Sequence, residues 1–147
     1  MAQPPAPAYK LHEVILLESS FSRELNINFE DPDFTTNLNI GIEDQVKDNL
    51  IYIIVELLFS VGKNKEVNSK IKMLGVFEFS ENTPLTSEEF AKKNGPAIIF
   101  PFLREHLATL SMKAGIAPIL LPPINFVKMA EETKKQKGKK IAKQKQL

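Results

Sequence analysis

Few side chains in this sequence could carry out chemistry. The chain has two histidines, His12 and His106, and no cysteine, so thiolate chemistry and disulfides are excluded. No second His, Cys or carboxylate stands at metal-ligand spacing from His106, which we interpret as a partly exposed helix residue. We therefore predict no catalytic group, no metal site and no cofactor.

The serines and the glycine-containing loop do not change this prediction. Ser19, Ser20 and Ser22 cluster in the first part of the chain but lack the G-x-S-x-G surroundings of a nucleophilic serine. The stretch "VGKNKEV" at 61–67 is too short for a phosphate-binding loop. An enzyme would need a site that the sequence does not show, so function has to be sought in binding surfaces.

The charges divide the chain into an acidic body and a basic tail. Residues 128–147 hold eight Lys and two Glu, and the rest of the chain holds eleven basic and sixteen acidic residues. Such a tail could bind nucleic acid through its phosphates. It has no aromatic residue for stacking and few apolar residues for membrane insertion. We favour a solvated extension, so nucleic acid is an unlikely partner and membrane insertion is not expected.

The composition of the two ends of the chain predicts the domain boundaries. The lack of a long apolar run bears on where in the cell the protein is found. The longest apolar run, "LIYIIVELLF", is interrupted by Glu56 and is far shorter than the ~20 residues that span a bilayer. The N-terminus lacks the charged and apolar regions of a secretion signal. We predict a cytoplasmic protein with a disordered Pro/Ala leader at 1–8, one domain at 9–130 and a flexible tail at 131–147.

The first half of the chain has the period-two pattern of β-strands. We predict a first strand over 10–29, bent near residues 18–20, and a turn at the "EDPDF" of 30–34. Further strands are predicted at 36–46, 50–61 and 67–79, with a hairpin loop at 62–66. The strand at 50–61 is apolar at odd and at several even positions, which predicts cover on both faces.

The second half changes to helical spacing. A short helix is predicted from Thr86 and Ser87 to the Asn94–Gly95 pair, and a longer one from Pro101 to a Gly115 cap. A last helix could begin near Ile124. Strands followed by helices predict an α+β domain: a four-stranded antiparallel sheet, a long helix and a second C-terminal helix.

Between the last two helices lies an unusually apolar loop, "IAPILLPPINF" at 116–126. Loops usually run in water, so this one either plugs the core or offers apolar surface to something else. Its three prolines fix φ and remove N–H donors, which favours an extended, ordered segment at the surface.

Residues 98–126 combine an apolar run into "FPFLRE", a helix ended by Gly, and a proline-containing segment closing in "NF". This pattern resembles that of the bacterial protein-export chaperone family SecB. It implies a non-catalytic holdase that assembles as dimers paired into tetramers and holds unfolded or precursor polypeptides in apolar grooves. Delivery to the motor SecA, or protection of an antitoxin, are both roles found in such proteins, and both stay open.

The resemblance assigns roles to particular residues. It places Phe100, Pro101, Arg104 and Glu105 at the start of the helix that pairs subunits, and the 116–126 loop at a wall of the client groove. We expect the subunit interface to involve Arg104, Glu105, Leu107 and Leu110. We expect client contacts from Ile119, Leu120, Leu121, Ile124 and Phe126, flanked by Phe90 and Met129.

Overall fold

The protein folds as an antiparallel β-sheet with helices on one face. The computed structural model describes residues 9–80 and 86–133; the predicted leader at 1–8 and most of the predicted tail, 134–147, lie outside them. The four strands follow the order β1-β4-β3-β2. Their bounds are β1 Tyr9–Arg23, β2 Thr36–Lys47, β3 Leu50–Val61 and β4 Val67–Phe79.

The end of β1 corrects the sequence prediction. Leu25, Ile27 and Phe29 alternate with asparagines but lie outside any strand, since β1 ends at Arg23. The physical reason is topological: β1 and β2 occupy opposite edges of the sheet, so residues 24–35 must cross from one edge to the other. The predicted turn lies within this crossover, where Phe34 N–H donates to Asp31 O at 3.0 Å.

β1 bends at two bulges. Its pairing with β4 shifts register between Leu11 and Glu13 and again between Leu16 and Glu18. Each shift leaves one extra residue on β1, and such bulges bend a strand and increase its twist. The second bulge adjoins the bend that the sequence predicted near residues 18–20.

A single helical run follows the sheet. Helix α1, Ser87–Glu89, begins at Thr86, whose hydroxyl accepts the Glu89 N–H at 3.1 Å. A π-helical segment, Phe90–Asn94, leads directly into α2, Gly95–Lys113. The predicted break at Asn94–Gly95 and the predicted helix start at Pro101 are therefore wrong, since Pro101 lies inside α2.

The role of Gly95 is in packing, and it does not end a helix. Its backbone is helical, with φ −59° and ψ −53°, and a Cβ added there would collide with the Cδ1 atom of Ile53. The glycine thus lets the helix backbone approach β3. Sequence alone does not distinguish this use of glycine from a helix cap.

The predicted Gly115 cap is confirmed. Gly115 has φ +72°, and its N–H donates to Met112 O while Ile116 N–H donates to Ser111 O, which is the hydrogen-bond pattern of a Schellman motif. Residues 117–125 have no helix or strand, and a last helix, α3, covers 126–133. Residues 131–133, predicted to open the flexible tail, continue this helix.

The core lies between α2 and the sheet, on one face of β3. Odd-numbered β3 residues such as Ile51, Val55 and Leu57 are fully buried beneath the helix. Even-numbered residues from 50 to 58 on the other face are at least partly exposed, and Leu58 is 41% exposed. The predicted cover on both faces is therefore absent from the single subunit, because the helices supply a layer on one side only.

Candidate functional site

A large apolar cavity of about 730 Å³ opens beside the C-terminal end of α2. Its lining comes from three parts of the chain that are distant in sequence: the sheet, the 24–35 crossover and the segment after Gly115. The lining residues are Arg23, Phe29, Phe34, Thr36, Leu38, Phe59, Val61, Val67, Gly115, Ile116, Ala117, Ile119, Leu120, Leu121 and Pro122.

Two irregular segments face each other across this cavity. One wall is the 116–122 segment, which leaves α2 through the Gly115 turn. The other wall carries Phe29 and Phe34, whose rings meet edge to face at 5.6 Å between centroids. The floor is the end of the sheet, so a fixed scaffold holds two apolar walls apart.

The 116–126 segment both plugs the core and offers apolar surface. Leu121 is 2% exposed and Phe126 is 3% exposed, and the Phe126 ring packs edge to face on Phe100 at 5.6 Å. Leu120, between Ile119 and Leu121, is 71% exposed. The two alternatives left open by the sequence are thus combined in one segment.

Among the residues that the structure describes, Arg23 is the only charged one that lines the cavity. Its guanidinium donates from Nε to Glu24 O at 2.9 Å, from Nη1 to Ala114 O at 2.8 Å and from Nη2 to Leu25 O at 3.0 Å. These carbonyls belong to the two wall segments or to the residues leading into them. The positive charge is therefore directed at the backbone, and it ties the end of β1 to the end of α2.

A second cavity of about 400 Å³ lies farther along β2. Ile40, Ile42 and Asp44 line it from the strand, and Met129 lines it from α3. Leu38 of the first cavity is two residues before Ile40, and both side chains pack against the core on the same face of β2. The two cavities therefore lie along one strand and together define the candidate groove.

The structure separates the predicted client residues into three groups. Ile119, Leu120 and Leu121 line the first cavity, and Met129 lines the second. Ile124 is partly buried against the core. Phe90 and Phe126 are buried at 3% exposure each, and the Phe90 ring stacks on Tyr9 with 3.7 Å between centroids, so these two phenylalanines belong to the core.

The four residues predicted at the subunit interface differ in their exposure. Arg104 and Glu105 are exposed on α2, and Leu110 is partly buried against the core. Leu107 is fully buried in the core of its own subunit. The large apolar residues that α2 does expose are Ile98, Phe102 and Met112, which share one helix face.

Sequence reasoning missed the second wall of the groove. Phe29 had been placed on a strand and Phe34 in a turn, and no local signal shows that the crossover folds against a segment some 90 residues later. Also unforeseen is the hydrogen bond between Ser19 Oγ and His106 Nε2 at 2.8 Å. It joins β1 to α2, and no described carboxylate hydrogen-bonds to the other nitrogen of this histidine.

Among residues 9–80 and 86–133, no group of three or more His, Cys, Asp or Glu side chains could hold a metal ion. No helix in those two ranges has the length and apolar character needed to cross a bilayer.

The fold and the groove together define an α+β binding protein. The family described as preprotein translocase subunit SecB matches residues 12–137. The chain therefore belongs to the SecB family.

Two relatives and one solved structure show how much of the chain is similar to known proteins. An uncharacterized protein of Methanocaldococcus jannaschii is 29% identical over 95% of this chain and 96% of its own. The protein-export protein SecB of Xanthomonas campestris pv. campestris is 26% identical over 90% of this chain and 81% of its own. A SecB-like chaperone of Mycobacterium tuberculosis, solved with a ChAD peptide from an antitoxin, superposes with a TM-score of 0.65. It is 13% identical and covers 80% of this chain and 88% of its own, so that likeness shows the shared fold.

Proposed function

We propose that this protein is a holdase chaperone that binds unfolded polypeptides in the groove along β2, without catalysis. The observation that carries the proposal is the apolar cavity of about 730 Å³ with Leu120 exposed at its wall. A lining of this kind selects apolar side chains in general instead of one ligand, because a single charged residue lines it and that residue is hydrogen-bonded to the backbone.

Family membership supports a polypeptide as the ligand. Relatives are named protein-export proteins, and the Mycobacterium tuberculosis protein was solved with a bound peptide. Each buried Leu, Ile, Phe or Val side chain contributes roughly 1.5–3 kcal/mol before ordering costs are subtracted. A client must therefore make several contacts along the groove, and the two cavities aligned on β2 provide them.

We propose two candidate classes of client. Export precursors follow from the names of the relatives, and an antitoxin follows from the peptide in the related structure. SecA, which the family resemblance implies, would be the receiving partner of an export precursor. Either role would be carried out in the cytoplasm, where newly made chains are still unfolded. Binding of each candidate client, with its folded form as the control, separates the two classes.

We further propose that the protein forms a homo-oligomer, a dimer or a tetramer. Ile98, Phe102 and Met112 are 41%, 45% and 55% exposed on one face of α2. Leu16 and Leu17 are about half exposed on the edge strand β1. An apolar helix face and an apolar edge strand are both surfaces that a second copy would cover.

The test of the chaperone proposal is suppression of aggregation. A thermally destabilised, unrelated protein should remain in solution when this protein is added in excess. The Leu120→Asp variant should protect it less, because a charge replaces the most exposed apolar side chain of the wall. If the wild-type protein does not slow aggregation, the holdase proposal is wrong.

A further inference from the structure

The hydrogen bonds that join the wall of the groove to the helix all end on one residue. Within the described chain, two N–H groups of residues 116–125 make hydrogen bonds, from Ile116 to Ser111 O at 3.2 Å and from Ile119 to Ser111 Oγ at 2.9 Å. Pro118, Pro122 and Pro123 have no N–H to donate. The wall therefore has two backbone attachments, and both end on Ser111.

The burial and the hydrogen bonding of Ser111 suit it to this contact. It is fully buried in the last turns of α2, and its hydroxyl donates to Ala108 O at 2.8 Å. That bond fixes the hydroxyl hydrogen and turns an oxygen lone pair toward the Ile119 N–H. A serine that only bonds back to its own helix is common, but here the same oxygen also reaches eight residues forward, outside the helix.

Arg23 secures the same junction from the other side of the cavity. Its Nη1 group donates to Ala114 O, in the turn between Ser111 and the wall. The end of α2 is thus held by β1, and the wall is held by the end of α2. This chain of contacts links the 116–122 wall to the end of β1, where the crossover that carries Phe29 and Phe34 begins.

We propose that Ser111 is a positioning residue for client binding. It keeps the wall in place before a client arrives, so that the groove does not have to be ordered at the moment of binding. The inference rests on the proposed chaperone function, because it assigns Ser111 a role in that same groove. Ser111 does not contact the client, since its side chain is fully buried.

The experiment compares two buried serines. Ser111→Ala removes the hydroxyl that holds the wall, and Ser69→Ala removes a hydroxyl that donates to Ser20 O at 2.8 Å within the sheet. For Ser111→Ala we expect exchange of the Ile119 amide hydrogen to accelerate about tenfold or more. We expect binding of reduced, carboxymethylated lysozyme to weaken about two- to tenfold, the range for one hydrogen bond. Ser69→Ala should change neither quantity.

A second variant allows the proposal to be tested if Ser111→Ala does not fold. Ser111→Cys fills the site with a larger sulfur atom that accepts a hydrogen bond only weakly, so both effects should have the same direction. The proposal is overturned if exchange accelerates while client affinity stays constant, or if affinity falls with exchange unchanged. It is also overturned if Ser69→Ala weakens binding equally.

The same measurements separate this inference from the chaperone proposal. If the wild-type protein does not bind the unfolded lysozyme, the chaperone function fails and the binding role of Ser111 fails with it. If the wild-type protein binds and the Ser111 variants bind equally well, the positioning role alone is wrong.

Discussion

Leu120 and Leu121 are neighbours in the chain, yet Leu120 is 71% exposed and Leu121 is 2% exposed. Adjacent side chains of an extended segment point to opposite sides. Both leucines line the cavity, but Leu120 is the exposed one, whereas Leu121 also joins the core cluster that includes Leu103 and Leu107.

The adjacent leucines provide a matched pair of variants. Leu120→Asp should change the free energy of unfolding by less than about 0.5 kcal/mol, as surface substitutions usually do. Leu121→Asp buries a carboxylate without a partner and should destabilise the fold by more than about 4 kcal/mol. Urea unfolding followed by circular dichroism measures both, and equal stability of the two variants would contradict the assigned orientations.

Sequence patterns predicted most of the sheet because its signals are local. β3 and β4 begin and end at the predicted residues, 50–61 and 67–79, and β2 extends one residue past the predicted 36–46. Alternating apolar residues and the turns between strands are sufficient for this. The Thr86 start and the Gly115 end of the helical run were predicted for the same reason, since caps depend on a few neighbouring residues.

The errors arose where tertiary contacts override local signals. Gly95 and Pro101 look like helix punctuation, but packing against Ile53 keeps Gly95 helical. The alternating residues Leu25, Ile27 and Phe29 look like a strand, but the crossover between sheet edges prevents pairing there. In the candidate site, the apolar segment 116–126 is evident from the sequence, whereas the contribution of Phe29 and Phe34 depends on the path of the crossover.

Gly75 marks the closest approach between the helix and β4. A Cβ there would lie 2.6 Å from Ile99 Cδ1, 2.8 Å from Ile99 Cγ1 and 3.0 Å from a ring carbon of Phe77. Gly75→Ala should therefore destabilise the protein by about 1–3 kcal/mol, the usual cost of overpacking.

A second strand glycine is the control for this prediction. Gly41 on β2 has only the Cβ of Glu56 within contact range, at 3.9 Å. Gly41→Ala should change stability by less than about 1 kcal/mol, because the position has room for a methyl group. Thermal unfolding of the two variants tests the helix–sheet contact, and equal melting temperatures would argue against it.

Removal of the lysine-rich tail distinguishes the chaperone hypothesis from the hypothesis of a nucleic-acid-binding module. If the tail is a solvated extension, truncation after Thr133 should leave client binding nearly unchanged, because the groove residues all precede it. Fluorescence anisotropy with mixed-sequence DNA and RNA at low salt should show no binding by the intact protein. Binding that falls steeply with salt and disappears on truncation would instead support the module.

The exposed face of α2 predicts where subunits meet. Phe102→Asp places a charge among Ile98 and Met112 on a face that is open in the single subunit. It should dissociate the oligomer at micromolar concentration while leaving the subunit folded, because burying an unpaired charge at an interface is unfavourable. Light scattering combined with circular dichroism reports both quantities.

Leu107→Asp is the paired test, on the opposite side of the same helix. Leu107 is fully buried beneath α2 in its own subunit, so a carboxylate there should unfold the subunit itself. If Phe102→Asp leaves the assembly intact, the exposed α2 face is not the interface. If the wild-type protein is a monomer at micromolar concentration, the oligomer proposal is wrong, and the apolar residues of α2 must serve another partner.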